Sequence, residues 1–262
     1  MKRQSALTVL GCSLSCILIV GFAHSQCTDT VAEPTAARVR EARLNVKSGE
    51  FALVDVDVIQ RARAVQAVGD LEKQFKLRTE PVERARIAQV LIFLGVKNDE
   101  YWNYLERLVN AALDSSAPSV VRFDSEGKRE PGPSMEFARW AEEQGKSPAD
   151  AAEEAVYITP GYFLVLGWTG DVRAIPLLRR GLSSPNYQIV AASASGLAEL
   201  NDKGSIGLII AACKRAPAEV VQVIAKSLVC FDDPEAQKAF DTFVSKDYAR
   251  ILREGRKPGQ NK

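Results

Sequence analysis

Histidine is almost missing from this chain of 262 residues, since the single one, His24, lies within the first 25 residues. If that segment is removed, as expected below, the mature chain has none. This excludes catalytic triads built on histidine, zinc sites with imidazole ligands, histidine general bases and haem held by a proximal histidine.

Cysteine is also scarce, with five residues in the whole chain. Cys12 and Cys16 fall in the apolar N-terminal run, so three would remain, which is too few for a disulfide scaffold. A bridge between Cys213 and Cys230 is not expected, because Cys230 lies about twelve residues, or roughly 18 Å, along the helix that follows Cys213. A disulfide needs its two Cα atoms within about 7 Å. The spacing therefore predicts a buried free thiol at Cys213.

The chain also has no large excess of either charge, since it contains 34 basic and 33 acidic residues. This balance gives no reason to expect a nucleic-acid partner, and membrane contact is expected only if the N-terminal segment is retained. No grouping of side chains supplies a catalytic constellation or a metal site, so we predict neither catalytic nor metal residues and no cofactor.

The N-terminus has the pattern of a signal peptide over residues 1–25. Lys2 and Arg3 precede an apolar run from Ala6 to Phe22, and Ala23 and Ser25 put small residues at the two positions that a signal peptidase recognises before a cut after Ser25. We therefore expect an exported protein, periplasmic or secreted. An uncleaved anchor is the alternative, because about 17 apolar residues approach the length that spans a bilayer.

From Pro34 onward, apolar residues recur at spacings of three and four between short breaks, which predicts an all-α fold. A stretch from Phe51 to Ile59 alternates and is a candidate strand. The predicted helices cover 35–47, 57–77, 81–94, 98–113, 135–144, 148–157, 160–168, 171–182, 186–200, 204–214, 218–230 and 234–252. The predicted segments are an N-terminal helix and linker (26–56), N-terminal helices (57–113), an inserted loop rich in turn formers (114–134), a C-terminal array (135–252) and a disordered tail (253–262).

An internal repeat of 31 residues organises the C-terminal third. Asp171, Asp202 and Asp233 recur at this interval, each just before a first helix that its carboxylate is expected to cap. Apolar or small residues keep the same register behind them: Ala174, Ser205 and Ala236; Leu178, Ile209 and Phe240; Leu182, Cys213 and Val244. One helix pair leaves an apolar face exposed, which is why such units stack.

The stretch from Asp171 to Leu182, with Pro176 in its first helix, and the stretch from Ile189 to Asp202 together resemble a HEAT-like repeat of the phycobilisome-lyase type, within the armadillo-like superfamily. Residues 79–105 resemble another second helix with its turn. The resemblance implies an α-solenoid or irregular stack of antiparallel helix pairs with one long inserted loop. The family's second helix commonly opens with Val-Arg, whose arginine reaches the repeated aspartates. Here Ile189-Val190 and Val220-Val221 stand instead, so apolar stacking is expected to supply more of the cohesion.

The resemblance implies a monomeric scaffold that binds a protein or peptide on its concave face. Two alternatives remain: an accessory protein or enzyme in cofactor attachment, because lyases share this repeat type, and a structural envelope protein. The candidate partner-binding residues are Arg122, Phe123, Asp124 and Lys128 in the loop, with Trp140, Trp168, Arg179 and Arg180 outside it.

Overall fold

Residues 32–115, 117, 120 and 132–254 are described by a computed structural model, and every regular element among them is helical. The all-α prediction is therefore confirmed for this part of the chain. Residues 1–31, which include the predicted signal peptide, most of the predicted inserted loop and residues 255–262 lie outside the described residues.

The helices, in chain order, are α1 Ala36–Ser48, α2 Leu53–Arg61, α3 Val68–Leu77, α4 Pro81–Phe93, α5 Asp99–Leu113, α6 Met135–Glu143, α7 Pro148–Glu153, α8 Thr159–Gly167, α9 Ala174–Gly181, α10 Tyr187–Glu199, α11 Ile206–Arg215, α12 Ala218–Ala225, α13 Pro234–Phe243 and α14 Lys246–Glu254. Short 3-10 turns cover Val65–Ala67, Lys203–Ser205 and Lys226–Cys230, and a π turn covers Glu154–Ile158. The helices predicted at 35–47, 81–94, 98–113, 135–144, 171–182, 186–200 and 204–214 agree with these bounds to within three residues.

The predicted strand at Phe51 to Ile59 is wrong, because α2 occupies most of it. Val56 and Ile59 are both fully buried and lie three residues apart, so they share one face of a helix. The predicted helix 57–77 is split in two. Arg63 has a positive φ of 47°, which a helix does not allow, and the chain turns there before α3.

Residues 148–167, predicted as two helices, form one continuous helix through α7, the π turn and α8. Pro160 lies just after the π turn and has no backbone N–H to donate to the preceding turn. A wider turn placed next to such a residue lets the helix continue. The predicted helix 234–252 shows the opposite outcome, because it is interrupted at the extended residue Val244.

The helices form successive pairs that contact each other: α1 with α2, α3 with α4, α5 with α8, α9 with α10, α11 with α12 and α13 with α14. The second members also contact one another in chain order, from α2 to α4, α8, α10 and α12. Consecutive pairs therefore bury the faces that each pair alone would leave exposed.

Five of the six first helices, α3, α5, α9, α11 and α13, share one register of buried positions. In each of them, or directly beside it, three side chains four residues apart are no more than 6% exposed. The sets are Ala67, Leu71 and Phe75; Tyr101, Leu105 and Val109; Ala174, Leu178 and Leu182; Ser205, Ile209 and Cys213; Ala236, Phe240 and Val244. The three C-terminal sets are those predicted from the period of 31. The two N-terminal sets extend the same register at a spacing of 34 residues.

Glycine allows close helix contacts, of α8 with α10 and of α9 with α10. A Cβ atom added to Gly167 would lie 2.3 Å from the Cα of Gly196, and one added to Gly181 would lie 2.1 Å from the Ser193 hydroxyl oxygen. Ordinary carbon contacts are about 3.5–4.0 Å. The absence of a side chain at Gly167 thus sets the distance between α8 and α10, and its absence at Gly181 sets the distance between α9 and α10.

A second, small apolar cluster lies apart from the main core. It consists of Val120, Phe137, Ala141 and Ala151, with Trp140 packed beside it. The backbone N–H of Ser134 donates to the carbonyl of Val120 at 2.9 Å, which connects Val120 to the residue before α6. The part of the chain between α5 and α8 therefore has a small apolar cluster of its own.

Candidate functional site

A cavity of about 510 Å³ lies among α3, α4 and α5. Its lining residues are Phe75 from α3, Arg84 from α4, and Glu100, Asn103, Tyr104 and Arg107 from α5. The four α5 residues follow spacings of three and four, so one face of this helix supplies most of the lining. Pro81 begins α4 and places Arg84 in the first turn, next to α5.

Two aromatic rings hold the arginines of this cavity. The Arg84 guanidinium carbon lies 4.7 Å from the centroid of the Phe75 ring and 4.5 Å from that of Tyr104. The Arg107 guanidinium carbon lies 5.4 Å from the same Tyr104 centroid. Phe75 and Tyr104 contact each other edge to face at 5.5 Å. Both cations therefore make cation–π contacts with a rigid, buried aromatic pair.

Neither arginine has an acidic partner among the described residues. The Nε atom of Arg84 is buried and has no hydrogen-bond acceptor there. Burial raises the pKa of the Tyr104 hydroxyl, and the nearby charges of Arg84 and Arg107 oppose that rise. The cavity thus combines a neutral phenol with two cations that have no acidic partner in the described ranges, an arrangement suited to an anion.

A buried polar network links α2, α4 and the end of α8. The Arg86 side chain is 5% exposed, forms an ion pair with Asp57 and donates to Gln60 at 2.7 Å and to Gln89. Gln89 in turn donates to the backbone carbonyl of Trp168 at 2.7 Å. Arg86, on the second helix of the α3–α4 pair, therefore connects this pair to the α1–α2 pair and contributes to their cohesion.

A polar connection also exists in the C-terminal array, where the second helices lack the expected arginine. Arg179, on the first helix α9, donates to both carboxylate oxygens of Asp202 at 2.8–3.1 Å and to the Ser205 hydroxyl at 2.8 Å. Apolar stacking is therefore not alone in joining these pairs. The arginine comes from the other helix of the repeat.

The three repeated aspartates differ in what they do. Asp233 caps α13 as predicted, since its carboxylate accepts from the N–H groups of Glu235 and Ala236. Asp171 accepts from the N–H of Arg173 in the turn before α9, and the Arg173 side chain lowers the Asp171 pKa. The capping prediction for Asp202 needs correction, because its side chain makes no capping bond and instead binds Arg179.

The residues proposed to bind a partner do not come together in one described surface. Arg122, Phe123, Asp124 and Lys128 lie outside the described residues. Trp140 packs on Phe137 in the small cluster, at a centroid distance of 5.3 Å. Trp168 is buried, with Arg86 over its ring, while Arg180 is half-exposed and bonds Asn110 and Asp114.

The cavity was not predicted from the sequence. Its one local signal was Tyr104 followed three residues later by Arg107, a pair that shares a helix face. Arg84 and Phe75 come from two other helices, and nothing in their spacing indicates contact with that pair.

The prediction of a buried free thiol at Cys213 is confirmed. Cys213 is a buried free thiol, and Cys230 is disulfide-bonded, so the two are not joined to each other. Burial raises the pKa of Cys213 to about 12. This thiol therefore stays protonated and unreactive in the native protein.

The described residues contain neither a group of metal ligands nor a helix that could span a membrane. Histidine, cysteine and acidic side chains do not converge there in groups that could hold a metal ion. Helices in the same ranges are also too short or too polar to cross a membrane. Comparison with protein-family models, with curated proteins and with solved structures found no match to this chain.

Proposed function

We propose that this chain is an exported HEAT-like repeat protein whose helix pairs form an α-solenoid and whose surface binds a protein or peptide partner. The supporting observation is the chain-order contact among the second helices α2, α4, α8, α10 and α12. The shared register of buried positions in the first helices points the same way. Arrays of this kind offer a long surface for binding another chain.

Export is proposed from the N-terminal sequence, in which Lys2 and Arg3 precede an apolar run and a cleavage point after Ser25. We expect N-terminal sequencing of the mature protein to begin at Gln26. A mature protein that still contains residues 1–25 would contradict the cleaved signal and favour the anchor.

The binding role is tested by cross-linking and affinity capture from the native envelope with a tagged full-length chain. Each captured protein is then purified, and its direct binding is measured by isothermal titration calorimetry. A matched bait has residues 116–132 replaced by a Gly/Ser linker. We expect at least one saturable, direct interaction with the unaltered chain. If no captured protein binds directly, the scaffold proposal is refuted.

The linker bait tests the role of the insertion separately. Weaker binding by this bait would support the proposal that Arg122, Phe123, Asp124 and Lys128 contact the partner, and unchanged binding would refute it. Two measurements on the same purified protein test the two alternative functions, cofactor attachment and a structural envelope role. Visible absorbance would indicate a bound prosthetic group, and concentration-dependent oligomers in gel filtration would indicate a structural role.

A further inference from the structure

We propose that the cavity between Arg84 and Arg107 binds a side-chain carboxylate, Asp or Glu, of the partner polypeptide. This inference rests on the proposed binding function and names the chemistry that the site recognises. It is argued from three properties of the cavity: its unpaired cations, its net charge and its rigidity.

The first property is unsatisfied hydrogen-bonding capacity. Arg84 and Arg107 have no carboxylate partner in the described parts of the chain, although Arg38, Arg78, Arg86, Arg173, Arg179, Arg180 and Arg253 all have one. The buried Nε of Arg84 also lacks an acceptor. Both guanidinium carbons lie within 5.4 Å of the Tyr104 ring centroid, so an anion in this cavity would be attracted by two positive charges.

The second property is the net charge of the lining, which selects the kind of anion. Arg84 and Arg107 contribute two positive charges, and Glu100 contributes one negative charge, which leaves a net +1. A singly charged carboxylate balances this charge, whereas a phosphate group, with nearly two negative charges at neutral pH, exceeds it. Asn103 adds a neutral amide that can donate to the same oxygen atoms.

The third property is that the main cation is already held in place. Arg84 lies against the Phe75 and Tyr104 rings, both of which are buried, so little side-chain freedom remains to be lost on binding. A planar guanidinium fixed in this way can bind both oxygens of a carboxylate. Phe75 and Tyr104 also provide apolar walls that suit the methylene groups of a glutamate side chain.

The test uses Nα-acetyl-glutamic acid amide as a probe, with the glutamine analogue and inorganic phosphate as controls. Binding to the full-length mature chain is followed by NMR through the Nε–H signals of the arginines. We expect a saturable millimolar shift of the Arg84 signal with the glutamate probe alone. Equal binding of the glutamine analogue or of phosphate, or no binding of the glutamate probe, would overturn the proposal.

Variants separate binding from folding. Arg107 is exposed, so Arg107→Gln is expected to fold normally and to weaken the glutamate probe about tenfold, as expected for losing a charge-assisted hydrogen bond. Glu100→Gln raises the net charge of the cavity and is expected to tighten binding about two- to fivefold. The control Arg40→Gln removes an exposed charge on α1, away from the lining residues, and is expected to change nothing. An Arg107→Gln variant that binds as the unaltered chain does would overturn the assignment.

The captured partner distinguishes this inference from the broader one. If a partner binds the unaltered chain and Arg107→Gln equally well, the carboxylate site is refuted and the scaffold proposal stands. If no partner is found, the scaffold proposal is refuted, and the probe titration still reports on the cavity by itself.

Discussion

Gly167→Ala should separate the two most closely packed helices and cost measurable stability. A methyl group at Gly167 would lie 2.3 Å from the Gly196 Cα, 2.9 Å from its carbonyl oxygen and 3.0 Å from its carbonyl carbon. Comfortable carbon contacts begin near about 3.5 Å, so α8 and α10 would have to move apart by roughly 1.2 Å. All three obstructing atoms belong to the backbone, so a rotamer change cannot relieve the clash.

The magnitude follows from overpacking, which costs about 1–3 kcal/mol in a well-packed core. Because backbone must move here, we expect the upper part of that range, about 2–3 kcal/mol. For a chain of this size, 1 kcal/mol shifts the melting temperature by about 2–4 °C. The variant should therefore melt about 4–12 °C below the unaltered protein, as followed by far-UV circular dichroism.

Gly161→Ala in the same helix is the matched control, since nothing lies within 4 Å of the added methyl group. Replacing a helical glycine by alanine usually stabilises by about 0.5–1 kcal/mol, so this control should melt at or above the unaltered protein. Equal melting temperatures for the two variants would refute the proposed role of the Gly167–Gly196 contact.

Three further predictions concern side chains. Arg86→Met should lower the free energy of unfolding in urea by about 2–4 kcal/mol, because it leaves buried acceptors without their donor. Arg179→Met removes a half-exposed ion pair and should lower it by under about 1 kcal/mol. A larger loss for Arg179→Met than for Arg86→Met would contradict the burial argument. Cys213, with its pKa raised to about 12, should react with a thiol reagent only when urea unfolds the chain. The stability that this buried neutral thiol contributes should be fully present below pH 9.0 and should decline as the pH rises toward 12. Labelling of native Cys213 would show that it is accessible. Asp233→Ala removes a cap that accepts two N–H groups and should cost about 1 kcal/mol by thermal melting, while Asp233→Asn should retain most of that stability.

The helical class and the buried register could be predicted because both depend on local spacing. Apolar steps of three and four residues specify a helix face, and the period of 31 correctly marked Leu178, Ile209 and Phe240 as buried. The strand prediction at Phe51 to Ile59 failed because alternation over a few residues does not distinguish a strand from a helix that is buried on more than one side.

The cavity and the polar connections could not be predicted, because each joins residues far apart in sequence. Arg86 and Asp57 are 29 residues apart, and Arg179 and Asp202 are 23 residues apart. The second helices lack the Val-Arg that the resemblance implies. An arginine of the first helix binds the repeated Asp202 instead, and this contact depends on the offset between helix pairs, which cannot be derived from the sequence.

The small cluster around Phe137 gives α6 and α7 a stability separate from that of the main core. Among the described residues, four buried side chains form this cluster, so it should open at a much lower free energy than the helices that pack around Gly167. Hydrogen exchange should therefore be faster in the amides of α6 than in those of α10. Amino-acid changes in α6 would then affect this small cluster while the helices around Gly167 stay packed, so these two parts of the chain are free to diverge at different rates.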